Sequence, residues 1–212
     1  MAFTSPGKLG EALRQTSPWF WTLAIVAIVS VIVFLLIPAD IFQAAVEAQA
    51  RARGQDVQDP GAALRIARIG GAAGALLGTF VAAFVIAGVL YLAFNVMFGQ
   101  DTTYKQHLSA AAHMYWINLV GFLVVVPIWI SRGDMTTQLG FGLLLQDAPE
   151  TFVGHFLNSI TIFGLWAAAA LGAMESGVSG GRIPPGKAIA TVLVLYFIFV
   201  LFSAARATLF GI

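Results

Sequence analysis

Residues 70–94 have the sequence GGAAGALLGTFVAAFVIAGVLYLAF, which contains no charged residue and decides the fold. A helix needs roughly 20 consecutive apolar residues to cross a hydrocarbon core about 30 Å thick. Four other stretches of the chain are comparably long and almost free of charge. The five predicted membrane spans are 19–37, 70–94, 108–130, 152–174 and 188–210. The sequence therefore predicts an all-α, polytopic integral membrane protein with five transmembrane helices in a lipid bilayer.

The composition agrees with this class and excludes several others. Hydrophobic residues make up 59% of the chain and charged residues 10%, whereas soluble domains have ~45–50% and ~25%. The net charge of +1 gives no attraction to nucleic acid. The chain has no cysteine, which excludes disulfides, thiolate metal sites and cysteine nucleophiles. No metalloprotease, hydrolase or phosphate-loop motif is present. We expect no enzyme activity, no bound metal and no cofactor.

The chain divides into a short N-terminal juxtamembrane head, residues 1–18, and a single five-helix membrane domain, residues 19–212, whose long first loop covers 38–69. The first span is expected to stay as an anchor, because its apolar run is longer than that of a signal peptide. An odd number of spans places the two termini on opposite sides of the membrane. Positive charges are nearly balanced between the two sides and favour a cytoplasmic N-terminus only slightly.

Three pairs of residues combine a capping side chain with a following proline, which is the pattern of a helix start. They are Ser5-Pro6, Ser17-Pro18 and Asp59-Pro60. The first pair predicts a small helix in the head, and the second predicts the start of the first span. The third predicts a helix that runs from the long first loop into the second span.

Small residues recur at helical spacing on two of the predicted spans. Glycine lets two helices approach closely in lipid, where packing drives their association. The second span carries Gly70, Gly74 and Gly78, and the fourth carries Gly164, Ala168 and Gly172. We expect both sets to pack helices within one chain. The alternative for the Gly70, Gly74 and Gly78 face is a homo-oligomer.

A layer of polar side chains is predicted near the middle of the membrane. It consists of Thr79, Asn118, Thr161 and Tyr196, each about 12–15 Å from the nearer end of its helix. An asparagine in lipid needs a hydrogen-bonding partner, so we expect an internal clamp. The alternative is a small polar cavity for a solute or headgroup. His113 and His155 lie near opposite surfaces and cannot share a metal, and Glu175 marks the end of the fourth span.

Two segments of the chain resemble a known family. Residues 94–106, FNVMFGQDTTYKQ, end a span at a glycine turn and continue into a Thr-aromatic-Lys-Gln stretch. The second segment contains Leu165-Trp166, Leu171-Gly172, Val178-Ser179 and Gly186-Lys187-Ala188-Ile189. Both are similar to the Yip family of five-span membrane proteins, which is named for interacting with Rab-type (Ypt) GTPases. The Ala/Gly-rich, lysine-poor composition favours a remote bacterial member.

The resemblance implies a membrane scaffold or accessory protein that binds partner membrane proteins, such as an ABC exporter, or organises the membrane. It also implies a bacterial inner-membrane location and a cytoplasmic N-terminus, with the 103–106 and 175–187 loops together on the cytoplasmic face. The partner-binding candidates are Gly99, Tyr104, Lys105, Gln106, Trp166, Arg182 and Lys187. The alternative function is a small transporter or lipid-binding protein that uses the polar layer around Asn118.

Overall fold

The computed structural model describes residues 1–52, 54–133, 135, 139–144 and 151–210. The described part is helical, and an isolated bridge between Gly140 and Thr161 is its only β-type pairing. Its α-helices are α1 (Pro6–Thr16), α2 (Phe20–Leu35), α3 (Ala39–Ala52), α4 (Pro60–Tyr91), α5 (Tyr104–Arg132), α6 (Phe152–Ser159), α7 (Ile162–Val178) and α8 (Pro185–Phe210). A π-helical turn, Leu92–Met97, continues α4, and a 3-10 turn, Phe141–Leu144, precedes α6.

Three of these helical segments are long and apolar enough to cross a membrane: Pro60–Met97, Tyr104–Arg132 and Pro185–Leu209. A fourth crossing results if α2 and α3, which meet at 89°, are counted as one broken span. The shorter α7 is also apolar and has 17 residues. The predicted all-α, polytopic membrane class is confirmed, although the predicted first and fourth spans are not long continuous helices.

The corner between α2 and α3 is held by an arginine from α4. The Arg68 Nη2 donates to the carbonyl oxygens of Leu35 at 2.6 Å and Ile37 at 3.5 Å. Its guanidinium also lies 5.4 Å from the centre of the Phe42 ring. The last carbonyls of a helix have no partner within it, so Arg68 satisfies the end of α2 where Pro38 prevents its continuation.

Of the helix starts predicted at Asp59-Pro60 and Ser17-Pro18, the structure has the first and not the second. Asp59 caps α4 by accepting a hydrogen bond from the Ala62 N–H at 2.9 Å, as predicted. The prediction for Ser17 is wrong, because this residue ends α1 in the left-handed region, at φ 44°, and does not start α2. Its hydroxyl donates back to the Leu13 carbonyl at 2.8 Å, and α2 follows Trp19 without a side-chain cap.

The predicted fourth span is interrupted at Ile160 and Thr161, between α6 and α7. Tyr196 of α8 bridges the break, since its hydroxyl accepts from the Thr161 N–H at 3.4 Å and donates to the Ser159 carbonyl at 3.1 Å. The Phe141 N–H donates to the Ile160 carbonyl at 3.0 Å. Irregular backbone is tolerated at membrane depth where other parts of the protein satisfy its polar groups. The hydrogen bonds from Tyr196 and Phe141 satisfy the backbone groups at this break.

The central helix of the bundle is α7, which packs against α1, α5 and α8. Its glycines allow very close approach. A Cβ added at Gly172 would lie 2.5 Å from the Ile189 Cα of α8. A Cβ added at Gly177 would lie 2.3 Å from the Gly7 carbonyl oxygen of α1, and one added at Gly10 would lie 2.0 Å from the Met174 carbonyl oxygen. Two helices therefore touch α7 backbone to backbone.

The glycine face of α4 does not pack inside the described part of the chain. A Cβ added at Gly70, Gly74 or Gly78 would meet no atom within 4 Å, and all three residues are exposed. Within the described part of the chain, the expectation that this face packs helices is therefore wrong. The reason is the orientation of α4, since the neighbouring Gly71 is the one that faces α2, with a Cβ position 2.3 Å from the Phe34 ring.

Candidate functional site

One end of the bundle gathers α1 and two loops. The Gln106 Nε2 at the start of α5 donates to the Arg14 carbonyl of α1 at 2.7 Å. The Lys187 Nζ at the start of α8 lies 4.4 Å from the centre of the Phe98 ring. Residues 98–103, residues 179–184 and the C-terminal half of α1 therefore share one end, which we call the α1 end.

The turn between α4 and α5 is built by residues that the sequence marks clearly. Gly99 has a left-handed backbone, at φ +64°, and the Gln100 N–H donates to the Phe94 carbonyl at 3.1 Å. Thr103 then starts α5 with a capping box in which the Gln106 Oε1 accepts from the Thr103 N–H at 2.8 Å. The side-chain amide of Gln106 thus joins the start of α5 to the end of α1.

A buried polar cluster lies beneath the α1 end and consists of Asn95, Thr102, His107 and Glu175. The His107 Nδ1 lies 2.7 Å from the Glu175 Oε2, and both side chains are fully buried. The other ring nitrogen, Nε2, lies 3.0 Å from the Asn95 Oδ1 and 2.9 Å from the Thr102 Oγ1. The cluster therefore connects the π-helical turn after α4 with α5 and α7.

The hydrogen bonds of this cluster indicate which atoms carry protons. The Asn95 Nδ2 donates to the Thr102 carbonyl and the Thr102 hydroxyl donates to the Asn95 Oδ1, so the Asn95 oxygen is an acceptor. His107 thus faces an amide oxygen on one side and a carboxyl group on the other, and each of its ring nitrogens lies within hydrogen-bond distance of an oxygen atom.

One oxygen of this pair has no hydrogen bond within the described residues. The Glu175 Oε1 is buried and unpartnered, whereas the Oε2 lies 2.7 Å from the His107 Nδ1. Buried charges are normally paired and hydrogen-bonded, because leaving water is costly. One oxygen of Glu175 therefore joins α7 to α5 through His107, and the other is unsatisfied within the described residues.

Sequence reasoning missed this cluster. The sequence places Glu175 at the end of a span and gives no role to Asn95 or His107. The available signal was the acid itself, because a carboxylate near the end of an otherwise apolar helix needs a donor from another helix end on the same side. His113, which the sequence analysis did weigh, bonds within its own helix, with its Nδ1 2.8 Å from the Ser109 carbonyl oxygen.

The partner-binding candidates are not equally placed. Gly99, Lys105, Arg182 and Lys187 are exposed at the α1 end. Two others are hydrogen-bonded within the protein. The Tyr104 hydroxyl donates to the Phe84 carbonyl at 2.8 Å, and the Gln106 amide donates to the Arg14 carbonyl. Trp166 lies elsewhere, one turn into α7 and about 18 Å along that helix from Val178. Its ring packs against Phe3, with 5.7 Å between centroids.

The predicted polar layer is only partly brought together. Asn118 and Thr161 line one pocket of about 210 Å³, with Gly121, Trp129 and Phe163 among the other lining residues. Tyr196 contacts Thr161 through the hydrogen bond at the helix break. Thr79 is separate, because its hydroxyl donates to the Ala75 carbonyl of its own helix at 2.7 Å.

The predicted helix-packing residues of α7 face α8. A Cβ added at Gly164 would lie 2.6 Å from the Tyr196 hydroxyl oxygen. Gly172, two turns later, meets the backbone of Ala188 and Ile189. This close approach lets Pro185 start α8 directly beside the end of α7, which brings Lys187 to Phe98.

Comparisons with known proteins agree with the loop motifs. The Yip1 domain pattern matches residues 2–206 of the chain. The membrane protein YknW of Bacillus subtilis (strain 168) is 27% identical over 204 residues, which cover 94% of this chain and 85% of that protein. No solved structure matches the chain. The resemblance to the Yip family is therefore confirmed over nearly the whole sequence, and with it the assignment to integral membrane proteins. The chain belongs to the Yip1 domain family.

Proposed function

We propose that the protein is a membrane scaffold or accessory protein, without enzyme activity, that binds partner membrane proteins at the α1 end. The proposal rests on the contrast between side chains that are bonded between helices and cationic side chains that are exposed at the same end. Gln106, His107 and Glu175 are committed to bonds between helices. Lys105 and Arg182 are exposed and have no acidic partner among the described residues.

The proposed partners are other membrane proteins, of which an ABC exporter is the first candidate to test. Charged side chains at an interface govern partner choice and association rate. We therefore expect Lys105→Glu to lower recovery of co-purifying partners about tenfold, with unchanged expression. The matched control is Arg65→Glu, which reverses one exposed cation near the start of α4. Partner recovery is measured by quantitative mass spectrometry after cross-linking. The proposal would be refuted if Lys105→Glu and Arg182→Glu recovered as much partner as the unmodified protein.

The proposed location is a bacterial inner membrane, with the N-terminus and the α1 end in the cytoplasm. A bacterial relative named as a membrane protein supports the location. The lack of cysteine makes the orientation simple to test, because single cysteines can be introduced one at a time. In right-side-out spheroplasts, a membrane-impermeant maleimide should label Arg65→Cys at once and Lys105→Cys only after lysis. The reverse pattern would place the N-terminus outside.

A second candidate function, a small transporter or lipid-binding protein, is favoured by the pocket of about 210 Å³ beside Asn118. The Asn118 amide has no hydrogen bond to another described residue, so a ligand could supply one. Native mass spectrometry of the purified protein tests this candidate. A bound small molecule or lipid that is lost in Asn118→Leu, and kept in Thr79→Val, would support it.

We also propose that the Gly70, Gly74 and Gly78 face of α4 joins two copies of the chain. Glycines at this spacing permit close helix pairing in lipid. The exposure of all three residues, and the empty space around them, leaves the face available to a second copy.

A further inference from the structure

A polar cavity lies between the C-terminal half of α1 and the loop that follows α7. Its volume is about 550 Å³, within the range of small-molecule sites. It is lined by Glu11, Arg14, Gln15, Gly177, Gly180 and Gly181. The glycines contribute only backbone, so α1 supplies every functional side chain. The cavity shares no residue with the partner-binding candidates or with the buried polar cluster.

The shape of the loop makes room for the arginine. Gly180 and Gly181 both have left-handed backbones, at φ +67° and +76°. A Cβ added at Gly180 would lie 2.5 Å from the Arg14 Nη1. A side chain at this position would therefore displace the guanidinium, and glycine lets it rest against the loop at the wall of the cavity.

The two charged groups of the cavity are both unpaired. Arg14 and Glu11 lie three residues apart on α1, and neither forms an ion pair with any residue of the described part, where the pair of His107 and Glu175 is the one that occurs. A guanidinium binds phosphate oxygens through two parallel N–H donors. A carboxylate accepts hydrogen bonds from an ammonium group. The cavity therefore offers complementary charges to a ligand that carries both signs.

We propose that this cavity binds a phosphoethanolamine group, with its phosphate at Arg14 and its ammonium at Glu11. The same chemical group occurs in phosphatidylethanolamine and in soluble phosphate esters of ethanolamine. The Gln15 amide, with donors and an acceptor, can bond to the ester. Because the lining carries one positive and one negative charge, a zwitterion fits it better than an inorganic phosphate ion does. A quaternary ammonium has no N–H to give to Glu11, so phosphocholine lacks one of the two contacts.

Native mass spectrometry of the full chain tests the proposal. The protein is purified with equal amounts of dioleoyl phosphatidylethanolamine and dioleoyl phosphatidylcholine. We expect about tenfold more retained phosphatidylethanolamine than phosphatidylcholine, since the loss of one hydrogen bond to a charged group lowers the binding affinity by about that factor. Arg14→Gln should lower retention of both lipids about tenfold, and Arg14→Lys should have an intermediate effect. Glu11→Gln should remove the preference between the lipids. Lys8→Gln, which removes an exposed charge from the same helix outside the cavity, should behave like the unmodified protein.

Soluble glycerophosphoethanolamine distinguishes the two sources of the group. Displacement of the lipid by the soluble ester shows that the headgroup alone is recognised, and retention of the lipid shows that the membrane lipid is the ligand. Equal retention of the two lipids by the unmodified protein would overturn the proposal. So would an Arg14→Gln variant that melts at the normal temperature and retains both lipids like Lys8→Gln.

Discussion

His107 and Glu175 are 68 residues apart in the sequence, and 2.7 Å separates the Nδ1 of one from the Oε2 of the other. The contact joins the first turn of α5 to the last turns of α7, and both side chains are fully buried. It fixes the depth at which these two helices meet. The loops at the α1 end start directly from the helix ends that this pair holds together.

Removing one partner of this pair should be more damaging than removing both. His107→Leu leaves a buried, unpaired carboxylate, and we expect it to lower the free energy of unfolding by about 3–5 kcal/mol. The double variant His107→Leu/Glu175→Leu should recover most of that loss, because two apolar side chains replace the pair. Thermal unfolding in detergent measures both. A double variant no more stable than the single one would show that the loss does not come from leaving Glu175 buried without a partner.

The crossing of α1 and α7 should not tolerate even one added methyl group at Gly10. The Cβ of Gly10→Ala would lie 2.0 Å from the Met174 carbonyl oxygen, so the helices must separate. Overpacking of this kind costs about 1–3 kcal/mol. We expect faster tryptic cleavage after Lys8 and Arg14 as α1 is released.

Gly7→Ala is the control for that measurement. It lies on the same helix, and its Cβ would sit 3.8 Å from the Ala173 carbonyl oxygen, which is an ordinary contact. Cleavage at equal rates in the two variants would show that α1 is not held by this crossing.

Substitutions at two adjacent glycines of α4 should have different effects on the thermal unfolding of the protein. Gly70→Leu should leave thermal unfolding of the monomer unchanged and disrupt the proposed homo-oligomer, because nothing lies within 4 Å of its Cβ position. Gly71→Leu should unfold the protein at lower temperature, since its Cβ would lie 2.3 Å from the Phe34 ring. Light scattering of detergent-purified protein gives the oligomeric state. An unmodified protein that is monomeric in lipid nanodiscs and in detergent would remove the oligomer proposal.

The corner between α2 and α3 should depend on Arg68. Arg68→Gln removes the charged donor to the Leu35 carbonyl, and we expect a loss of about 1.5 kcal/mol, the lower end for a charged hydrogen bond at a half-buried site. Hydrogen exchange of the Leu36–Phe42 backbone amides should become faster. Arg65→Gln, one turn away and exposed, is the matched control and should leave that exchange unchanged.

The features that sequence predicted well are those that a few neighbouring residues determine. Asp59 caps α4, and Gly99 makes a left-handed turn. Length and hydropathy were sufficient to identify membrane helices. These signals are local, so one sequence contains all the information they need.

The features that sequence predicted poorly depend on contacts between distant residues. The break at Thr161 exists because Tyr196 and Phe141 satisfy the freed backbone groups. Gly71 and not Gly70 faces α2, which depends on the rotation of α4 about its axis. His107 and Glu175 each look unremarkable until their helices are placed side by side.

The packing of α1 on α7 has a consequence for the order of assembly in the cell. The surface that receives Gly10 is made by Met174, so α1 is synthesised long before its docking site exists. At about 5–20 residues per second, the ribosome needs on the order of ten seconds or more to reach α7. The amino-terminal helix therefore packs against α7 only after most of the chain has been synthesised.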